Sequence, residues 1–142
     1  MKQGIRLATL FFALLYLPFA FAHAPTGLWT TIDDKTGKKR AEVRLDVQNG
    51  VLNGTVVRVF PHPGDTGICG KCQGELKNKP VEGLRILWGL KDKGDGVWSG
   101  GNILDPKTGK IYRAKLTLKG HKMYVRGYVG LSMLGRTQVW VR

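Results

Sequence analysis

The sequence predicts an all-β fold, a single eight-stranded up-and-down barrel that follows a cleaved signal peptide. Three observations lead to this prediction. An apolar run opens the chain, short segments of alternating apolar and polar residues follow it, and glycine-rich turns separate these segments. Antiparallel strands joined mainly by hairpins close most simply into a barrel, because closure removes exposed sheet edges. A two-sheet sandwich is the alternative architecture.

Residues 1–22 have the features of a signal peptide. Lys2 and Arg6 precede an apolar run over residues 7–21, which is shorter than the roughly 20 residues that a membrane span requires. The run ends in Ala20-Phe21-Ala22, a small-x-small cleavage site. We therefore expect residues 23–142 to form one exported domain, periplasmic or secreted, without a transmembrane segment.

Strand-like segments follow one another through the rest of the chain. The second is the clearest, because Ala41, Val43, Leu45 and Val47 alternate with polar residues and so share one face. Turns at residues 33–38, 49–50, 93–96, 105–110 and 119–120 carry the glycines and short polar residues that tight reversals need. In chain order, the predicted strands are residues 26–32, 40–47, 51–60, 84–90, 97–104, 111–118, 122–129 and 136–141.

Two of these turns share the pattern D-x-K-T-G-K, at residues 33–38 and 105–110. An Arg-Ala pair follows each of them, and it begins one residue later after the second turn than after the first. The repetition indicates either a pseudo-twofold barrel or simply a favourable turn with glycine in the left-handed conformation. We prefer the simple turn.

Strand order predicts where a binding site lies, because the connections that leave odd-numbered strands all meet at one end of a meander barrel. They are the two D-x-K-T-G-K turns, the loop over residues 61–83 and the connection over residues 130–135. A loop of this length exceeds an ordinary hairpin connection, and such loops are commonly lids or binding loops. We therefore expect the open mouth of the barrel at this end.

The long loop contains the only two cysteines of the chain, Cys69 and Cys72, in the sequence GICGKCQG. A redox Cys-x-x-Cys motif normally begins a helix, and no helical pattern follows here. Haem attachment needs a histidine where Gln73 stands, and His62 is the one further zinc ligand that the loop offers. In an exported protein, a structural Cys69–Cys72 disulfide is the preferred interpretation, with metal and redox roles as alternatives.

The chain is strongly basic. Its net charge of +13 falls to +11 when Lys2 and Arg6 leave with residues 1–22, which contain no acidic residue. A basic exported protein meets anionic lipid or envelope polymers before it meets nucleic acid. We expect such partners and no nucleic acid, and a solvated basic surface without a specific partner is the alternative.

Several sequence blocks resemble known families. Gly27-Leu28-Trp29 resembles the Gly-x-Trp opening of lipocalins. The blocks at residues 98–106, 125–128 and 135–140, with the Cys-x-x-Cys loop before them, are similar to the bacterial family of domain of unknown function 2147 (DUF2147). The resemblance covers essentially all of residues 23–142 and implies an exported, lipocalin-like barrel with no established activity. The helix that lipocalins carry near their C-terminus is missing from the pattern.

The residue chemistry does not predict an enzyme. Hydrolysis needs a nucleophile with a base, or paired carboxylates, whereas the chain has three histidines and ten acidic residues that lie mostly in turns. His62 is the best candidate base, and a solvated loop histidine is the preferred interpretation of it. We expect no cofactor.

The seventh strand offers a face for an anion. If Tyr124, Arg126 and Tyr128 point inward, a guanidinium flanked by phenols enters the barrel and suits a carboxylate or phosphate. The Arg-x-Tyr order resembles the carboxylate grip of cytosolic fatty-acid-binding proteins. In the alternative, Met123 and Val125 face inward and Arg126 lies on the outer surface.

Other residues complete the candidate site. Arg136 lies near the mouth and is expected either to bind the ligand or to cover the Trp29 ring, as an arginine near the end of the chain covers the corresponding tryptophan in lipocalins. Arg142 is the alternative residue for the contact with Trp29. Trp88 and Trp98 are interpreted as barrel filling in preference to stacking platforms. The predicted ligand-binding residues are Arg126, Tyr128, Tyr124, Arg136, Trp88 and Trp98, and the predicted barrel-closing residues are Gly27, Trp29 and Arg142.

Two functions are compatible with these observations. The first is an exported barrel that binds a small amphipathic or anionic molecule. The alternative is a non-enzymatic interaction module with a filled barrel, whose basic exterior holds an anionic envelope surface or a protein partner. Cavity volume separates them, since ligand pockets measure at least about 300 Å³.

Cleavage after Ala22 predicts that protein recovered from the cell envelope begins at His23. N-terminal sequencing of that protein measures this directly. Retention of Met1 would contradict the export prediction.

Overall fold

Eight antiparallel strands form one closed barrel in this computed structural model, each paired with its neighbours in the sequence. The structure describes residues 24–131 and 135–142, together with Gly4 and Ala13, so the predicted signal peptide lies almost wholly outside the described residues. The strands are β1 (Gly27–Ile32), β2 (Lys39–Gln48), β3 (Val51–Val59), β4 (Arg85–Asp92), β5 (Val97–Asp105), β6 (Lys110–Lys119), β7 (Lys122–Tyr128) and β8 (Arg136–Val141).

The predicted all-β barrel is therefore confirmed, and its strand boundaries differ from the predicted ones by at most two residues. Alternation succeeded because one face of each strand is buried: Val43 and Leu45 of β2 are buried in the core, and Ala41 and Val47 are partly buried against it. Within the described ranges, helix is limited to one 3-10 turn, Gly74–Leu76, in the long loop.

One half of the barrel interior is filled with large side chains. This half lies towards the connections β2–β3, β4–β5 and β6–β7, and we call it the closed end. Burial of each such apolar side chain stabilises the fold by about 1.5–3 kcal/mol. The fully buried residues that fill it include Trp29, Leu45, Leu52, Leu90, Leu116 and Met123.

The barrel closes where the first strand meets the last. This seam has two residue pairs, Thr30 with Val141 and Thr31 with Trp140. Arg142, directly after β8, reinforces it: its guanidinium lies 4.4 Å from the Trp29 ring centroid, and its Nη1 donates to the carbonyls of Ala24 (3.0 Å) and Thr26 (3.1 Å). The indole Nε1 of Trp29 donates to the Pro25 carbonyl at 2.7 Å. Arg142 therefore ties the end of the last strand to the segment that precedes the first.

The long loop between β3 and β4, residues 61–83, is folded back on itself. Its two arms are joined by a bridge between Ile68 and Pro80 and by backbone hydrogen bonds from Cys69 N to Lys79 O (2.8 Å) and from Asn78 N to Cys69 O (2.9 Å). The predicted disulfide Cys69–Cys72 is confirmed and lies in the buried part of the loop.

The long loop also packs on the β5–β6 turn. The Sγ of Cys69 lies 3.5 Å from the carbonyl oxygen of Pro106, and the backbone of Lys71 passes so close to Gly109 that a Cβ at position 109 would come 2.0 Å from the Lys71 carbonyl oxygen. Glycine is therefore required at position 109 both for its φ of +70° and for this close approach.

The two D-x-K-T-G-K turns share several hydrogen bonds. In each, the aspartate Oδ1 accepts a backbone N–H from the lysine two residues later, at 2.9 Å for Lys35 and 2.9 Å for Lys107. Gly37 and Gly109 have φ values of +71° and +70° and donate to the carbonyl of the turn's own aspartate at 2.8 Å. Local turn chemistry accounts for the shared pattern.

The same substitution in each of the two turns measures how much the contact between the long loop and the β5–β6 turn contributes to stability. Gly37→Ala should lower the free energy of unfolding by about 1–2 kcal/mol, because alanine is forced into the left-handed conformation. No steric cost is added, since nothing lies within 4 Å of a Cβ at position 37. Gly109→Ala should lower the free energy of unfolding by about 1–3 kcal/mol more than Gly37→Ala does, because its Cβ must also displace the Lys71 backbone. Urea unfolding of both variants gives the difference, and equal losses would show that the packed loop contributes nothing to stability.

Candidate ligand-binding cavity

The half of the barrel opposite the closed end is hollow. It contains a cavity of about 830 Å³ that opens at the mouth predicted from strand order. Small or aliphatic side chains on the inner faces of the strands make its walls, and Trp140 lies at its floor beside the filled half. The apolar wall residues are Ala41, Val56, Val59, Ile103, Val125 and Trp140.

Three polar side chains interrupt these walls. Thr31, Tyr112 and Gln138 line the cavity from β1, β6 and β8. The Oε1 of Gln138 accepts a hydrogen bond from Trp140 Nε1 at 3.4 Å, which orients this amide above the floor. A mostly apolar pocket with a few placed polar groups is typical of small-molecule sites.

The rim of the cavity is built by all four connections that leave odd-numbered strands, as the sequence predicts. Residues 33–35, 64–68, 70–71 and 105–107 line it from the first three, and Val129 and Gly135 line it from the β7–β8 connection. The long loop is the largest contributor and covers part of the mouth. Its placement depends on contacts with the barrel wall, since Val59 N donates to Glu82 Oε1 at 3.0 Å.

Two ion pairs hold parts of the rim together. Arg40 Nη1 lies 3.4 Å from Asp65 Oδ2, and Arg136 donates from Nε to Asp34 Oδ2 at 2.8 Å and from Nη2 to Asp34 Oδ1. The Arg136 hydrogen bonds lower the pKa of Asp34, while Asp34 in turn raises the pKa of Arg136. The pKa of Asp65 is lowered first by the backbone N–H of His62, which donates at 2.8 Å, and then by the charge of Arg40.

Three lysines of the rim take no part in these two ion pairs. Lys35, Lys71 and Lys107 come from three different connections, and in the described part of the chain no carboxylate oxygen lies within 4 Å of their ammonium groups. Asp33 and Asp105, although nearby in sequence, accept hydrogen bonds from their own turns. The backbone N–H groups of Thr36 and Lys35 lower the pKa of Asp33.

The prediction that Arg126 and Tyr124 face the cavity is wrong. Met123 and Val125 are buried inside the barrel, and Arg126 Nη1 donates to Thr137 Oγ1 at 2.8 Å on the outer wall. The β7–β8 register explains this, because Val125 pairs with the cavity residue Gln138. Tyr124 shares the outer face, with Lys119 Nζ 5.4 Å from its ring centroid.

The other predicted site residues are divided between the cavity and the core. Tyr128, at the end of β7, and Arg136 both line the rim. Trp98 is buried in the filled half, and Trp88 is partly buried and packed against the core, so neither lines the cavity. The contact over Trp29 belongs to Arg142 and not to Arg136.

Sequence reasoning missed the cavity residues Tyr112 and Gln138 and the three rim lysines. Lys35 and Lys107 could have been predicted, because strand order already places both D-x-K-T-G-K turns at the mouth. Tyr112 shares the inward parity of Ala114 and Leu116 on β6, which are buried. Gln138 had no comparable signal, since a glutamine on a short terminal strand is as readily exposed.

The candidate base His62 has a structural contact. Its Nε2 lies 3.1 Å from the Lys39 carbonyl oxygen, which can only accept, so Nε2 is the protonated donor. Across residues 24–131 and 135–142, no three His, Cys, Asp or Glu side chains are grouped so that they could hold a metal ion.

The lowered pKa values of Asp34 and Asp65 predict acid-induced loosening of the rim. A carboxylate whose pKa is lowered on folding stabilises the protein above the ordinary aspartate pKa of about 3.9, and this contribution disappears as the pH falls through the lowered value. The free energy of unfolding should therefore hold steady from pH 7 to about pH 5 and decline below about pH 4. Asp65→Asn should be less stable at neutral pH and show a shallower decline in urea unfolding. Parallel pH profiles for the two proteins would contradict the role given to Asp65.

Comparison with known proteins agrees with this architecture. Protein HP1028 from the human pathogen Helicobacter pylori, described as belonging to the lipocalin family, has a solved structure similar to this chain with a TM-score of 0.70. The two share 19% sequence identity over 82% of this chain and 81% of that one, a likeness that establishes the fold. No curated protein matches the sequence. The described residues include no helix with the length and apolar character needed to cross a membrane.

The sequence itself matches a bacterial family over all eight strands. Residues 27–142 match the family described as an uncharacterized protein conserved in bacteria (DUF2147), which agrees with the resemblance seen in the blocks around the fifth, seventh and eighth strands. With the match running from the start of β1 to the last residue, the chain belongs to the DUF2147 family and has a lipocalin-like barrel.

Proposed function

We propose that this protein is a non-enzymatic binding protein for a small amphipathic molecule with an anionic head group. The apolar part of the ligand occupies the cavity, and the head group lies at the rim near Lys35, Lys71 and Lys107. The observation that carries this proposal is a cavity of about 830 Å³ with apolar walls, beneath a rim that carries three lysines outside its two ion pairs.

The volume of the cavity supports ligand binding over the alternative of a filled scaffold. Small-molecule pockets typically measure about 300–1,000 Å³, and the hollow half of this barrel falls within that range. Walls made of valine, isoleucine and alanine offer no charge to a ligand, so an apolar chain or ring is the part of a molecule that they accept.

The rim favours a negative head group. Three lysines without a neighbouring carboxylate can turn towards an anion, and each contributes modestly because solvent screens exposed charges. Arg136 also lines the rim, but its guanidinium is held by Asp34, so a carboxylate ligand would have to compete for it. Tyr128 adds a phenol at the same level.

The non-enzymatic assignment rests on where the ionisable groups of the cavity lie. Asp34, Asp65, Arg40 and Arg136 are in ion pairs at the rim, and His62 is bonded to the Lys39 carbonyl. A substrate inside the cavity would therefore be surrounded by the apolar walls, away from the ion-paired groups at the rim. This arrangement suits retention of a ligand.

We also propose that the protein functions outside the cytoplasm, in the periplasm or the medium. The disulfide Cys69–Cys72 supports this, because disulfides persist mainly in oxidising compartments. The signal-peptide features of residues 1–22 point the same way.

The head-group assignment can be tested with an environment-sensitive fluorescent fatty acid and the corresponding alcohol. Replacing Lys35, Lys71 and Lys107 together by glutamine should weaken binding of the acid about tenfold, which corresponds to three modest exposed charge interactions. Binding of the alcohol should change little, since it carries no charge. Titration of both probes into the parent and the variant measures the difference.

A matched control removes the same charge from the other end of the barrel. Replacing Lys91, Lys93 and Lys122, all exposed at the closed end, by glutamine should leave both affinities unchanged. Arg126→Met should also bind both probes like the parent, because Arg126 lies on the outer wall. Equal weakening by both lysine triples would reject the rim as the head-group site, and failure of the parent to bind either probe would reject an acyl ligand.

A further inference from the structure

Three large apolar side chains are exposed at the mouth of the barrel. Val129 and Leu131, in the connection after β7, are 71% and 65% exposed, and Ile68, in the long loop, is 41% exposed. Val129 and Ile68 both line the rim of the cavity, and Leu131 is two residues beyond Val129. Exposed apolar side chains that converge from separate loops mark interaction surfaces more often than single scattered ones do.

The same rim carries the cations Lys35, Lys71 and Lys107. Loop tips in exported domains are normally polar, yet the connection over residues 129–135 contains no charged residue in its sequence. Apolar side chains surrounded by lysines are typical of surfaces that enter the boundary between lipid head groups and acyl chains, where lysine stems extend towards the phosphates.

We propose that this apolar and basic rim, formed by Ile68, Val129, Leu131, Lys35, Lys71 and Lys107, docks the protein mouth-first onto an anionic bilayer surface. The apolar side chains enter the head-group layer while the lysines contact lipid phosphates. The mouth of the cavity then faces the membrane, where an amphipathic ligand can pass between bilayer and barrel. This surface and its partner go beyond ligand binding, which requires no membrane.

Charge favours a bilayer over a second copy of the chain. A symmetric dimer through the rim would bring Lys35, Lys71 and Lys107 of one copy against the same patch of the other, and each chain without residues 1–22 carries a net charge of +11. An anionic lipid surface instead complements both the lysines and the overall charge.

Vesicle flotation of the purified protein tests the proposal. Vesicles of phosphatidylcholine with about one-third phosphatidylglycerol should bind the protein, and pure phosphatidylcholine vesicles should bind it weakly. Leu131→Asp should lower binding to the anionic vesicles about tenfold, because it places a carboxylate among the lipid phosphates and removes an apolar contact. High salt should weaken the binding of the parent without abolishing it.

Leu28→Asp is the matched control. Leu28 is 39% exposed near the start of β1, at the closed end, so the substitution makes the same change of residue and charge far from the mouth. It should bind vesicles like the parent, apart from a small loss due to net charge. If Leu131→Asp and Leu28→Asp bind alike, or if high salt removes all binding of the parent, the attachment is a diffuse charge effect and the proposal is overturned.

A second pair of variants keeps the side chain apolar and reports orientation. Leu131→Trp should gain fluorescence that brominated phospholipids quench, whereas Leu28→Trp should gain fluorescence that they do not quench. Equal quenching of the two would overturn the mouth-first orientation. A concentration-dependent dimer that Leu131→Asp dissociates, without vesicle binding by the parent, would assign the rim to self-association instead.

The fluorescent fatty acid separates this proposal from the ligand-binding proposal. Leu131→Asp should bind the fatty acid in free solution like the parent, because Leu131 does not line the cavity. Loss of vesicle binding with unchanged fatty-acid binding supports docking as a separate property. If the parent binds vesicles through Leu131 but takes up no fatty acid, docking stands and the proposed ligand fails.

Discussion

Closure of the barrel depends on the seam between β1 and β8, where the backbone pairing is shortest. Two residue pairs join these strands, whereas β7 and β8 share six. Arg142 compensates by stacking its guanidinium on the Trp29 ring and donating to two carbonyls upstream of β1. Trp29 is fully buried beneath this contact while Arg142 is exposed, and a cation over an aromatic face at an exposed site contributes about 0.5–1 kcal/mol. Among the described strands, closure of the seam leaves every strand paired on both sides over part of its length, which limits the edge available to another chain.

The hollow in this barrel results from an uneven distribution of side-chain volume. Towards the closed end, the inward residues include tryptophan, leucine and methionine side chains that are fully buried and fill the interior. Towards the mouth, the inward positions include Ala41 and Gly127, and the space they leave is the cavity. Gly127 has the Tyr112 side chain 3.4 Å from where its own Cβ would be, so a larger residue there would begin to fill that space.

Much of this fold was predictable from sequence because its signals are local. Alternation identified the strands, turn residues ended them, and strand order alone put the four connections that leave odd-numbered strands at the mouth. The inward face of β7 was not predictable in the same way. One face carries Met123 and Val125 and the other carries Tyr124 and Tyr128, so each face could be buried and the pattern fits either orientation. The register with β8 decides between them, and that register is a contact between strands which no single strand encodes.

The packing of the long loop was equally beyond the sequence. Its position depends on Glu82 meeting the backbone of Val59, on Asp65 meeting Arg40 and on Lys71 passing over Gly109. These partners are separated by roughly twenty to forty positions along the chain, and none forms a recognisable pattern by itself. Cavity size depends on the same packing, which is why the choice between a hollow and a filled barrel needed the structure.

The short span of the disulfide has a consequence for biosynthesis. Cys69 and Cys72 are three residues apart and, as the only cysteines of the chain, have a single intramolecular pairing. Their oxidation therefore needs no disulfide isomerase to correct it and can precede folding. Closure of the barrel, in contrast, joins residues 118 positions apart, and contacts between residues so distant in the sequence form slowly. The loop can therefore be cross-linked before the strands on either side of it have closed into the barrel that it covers.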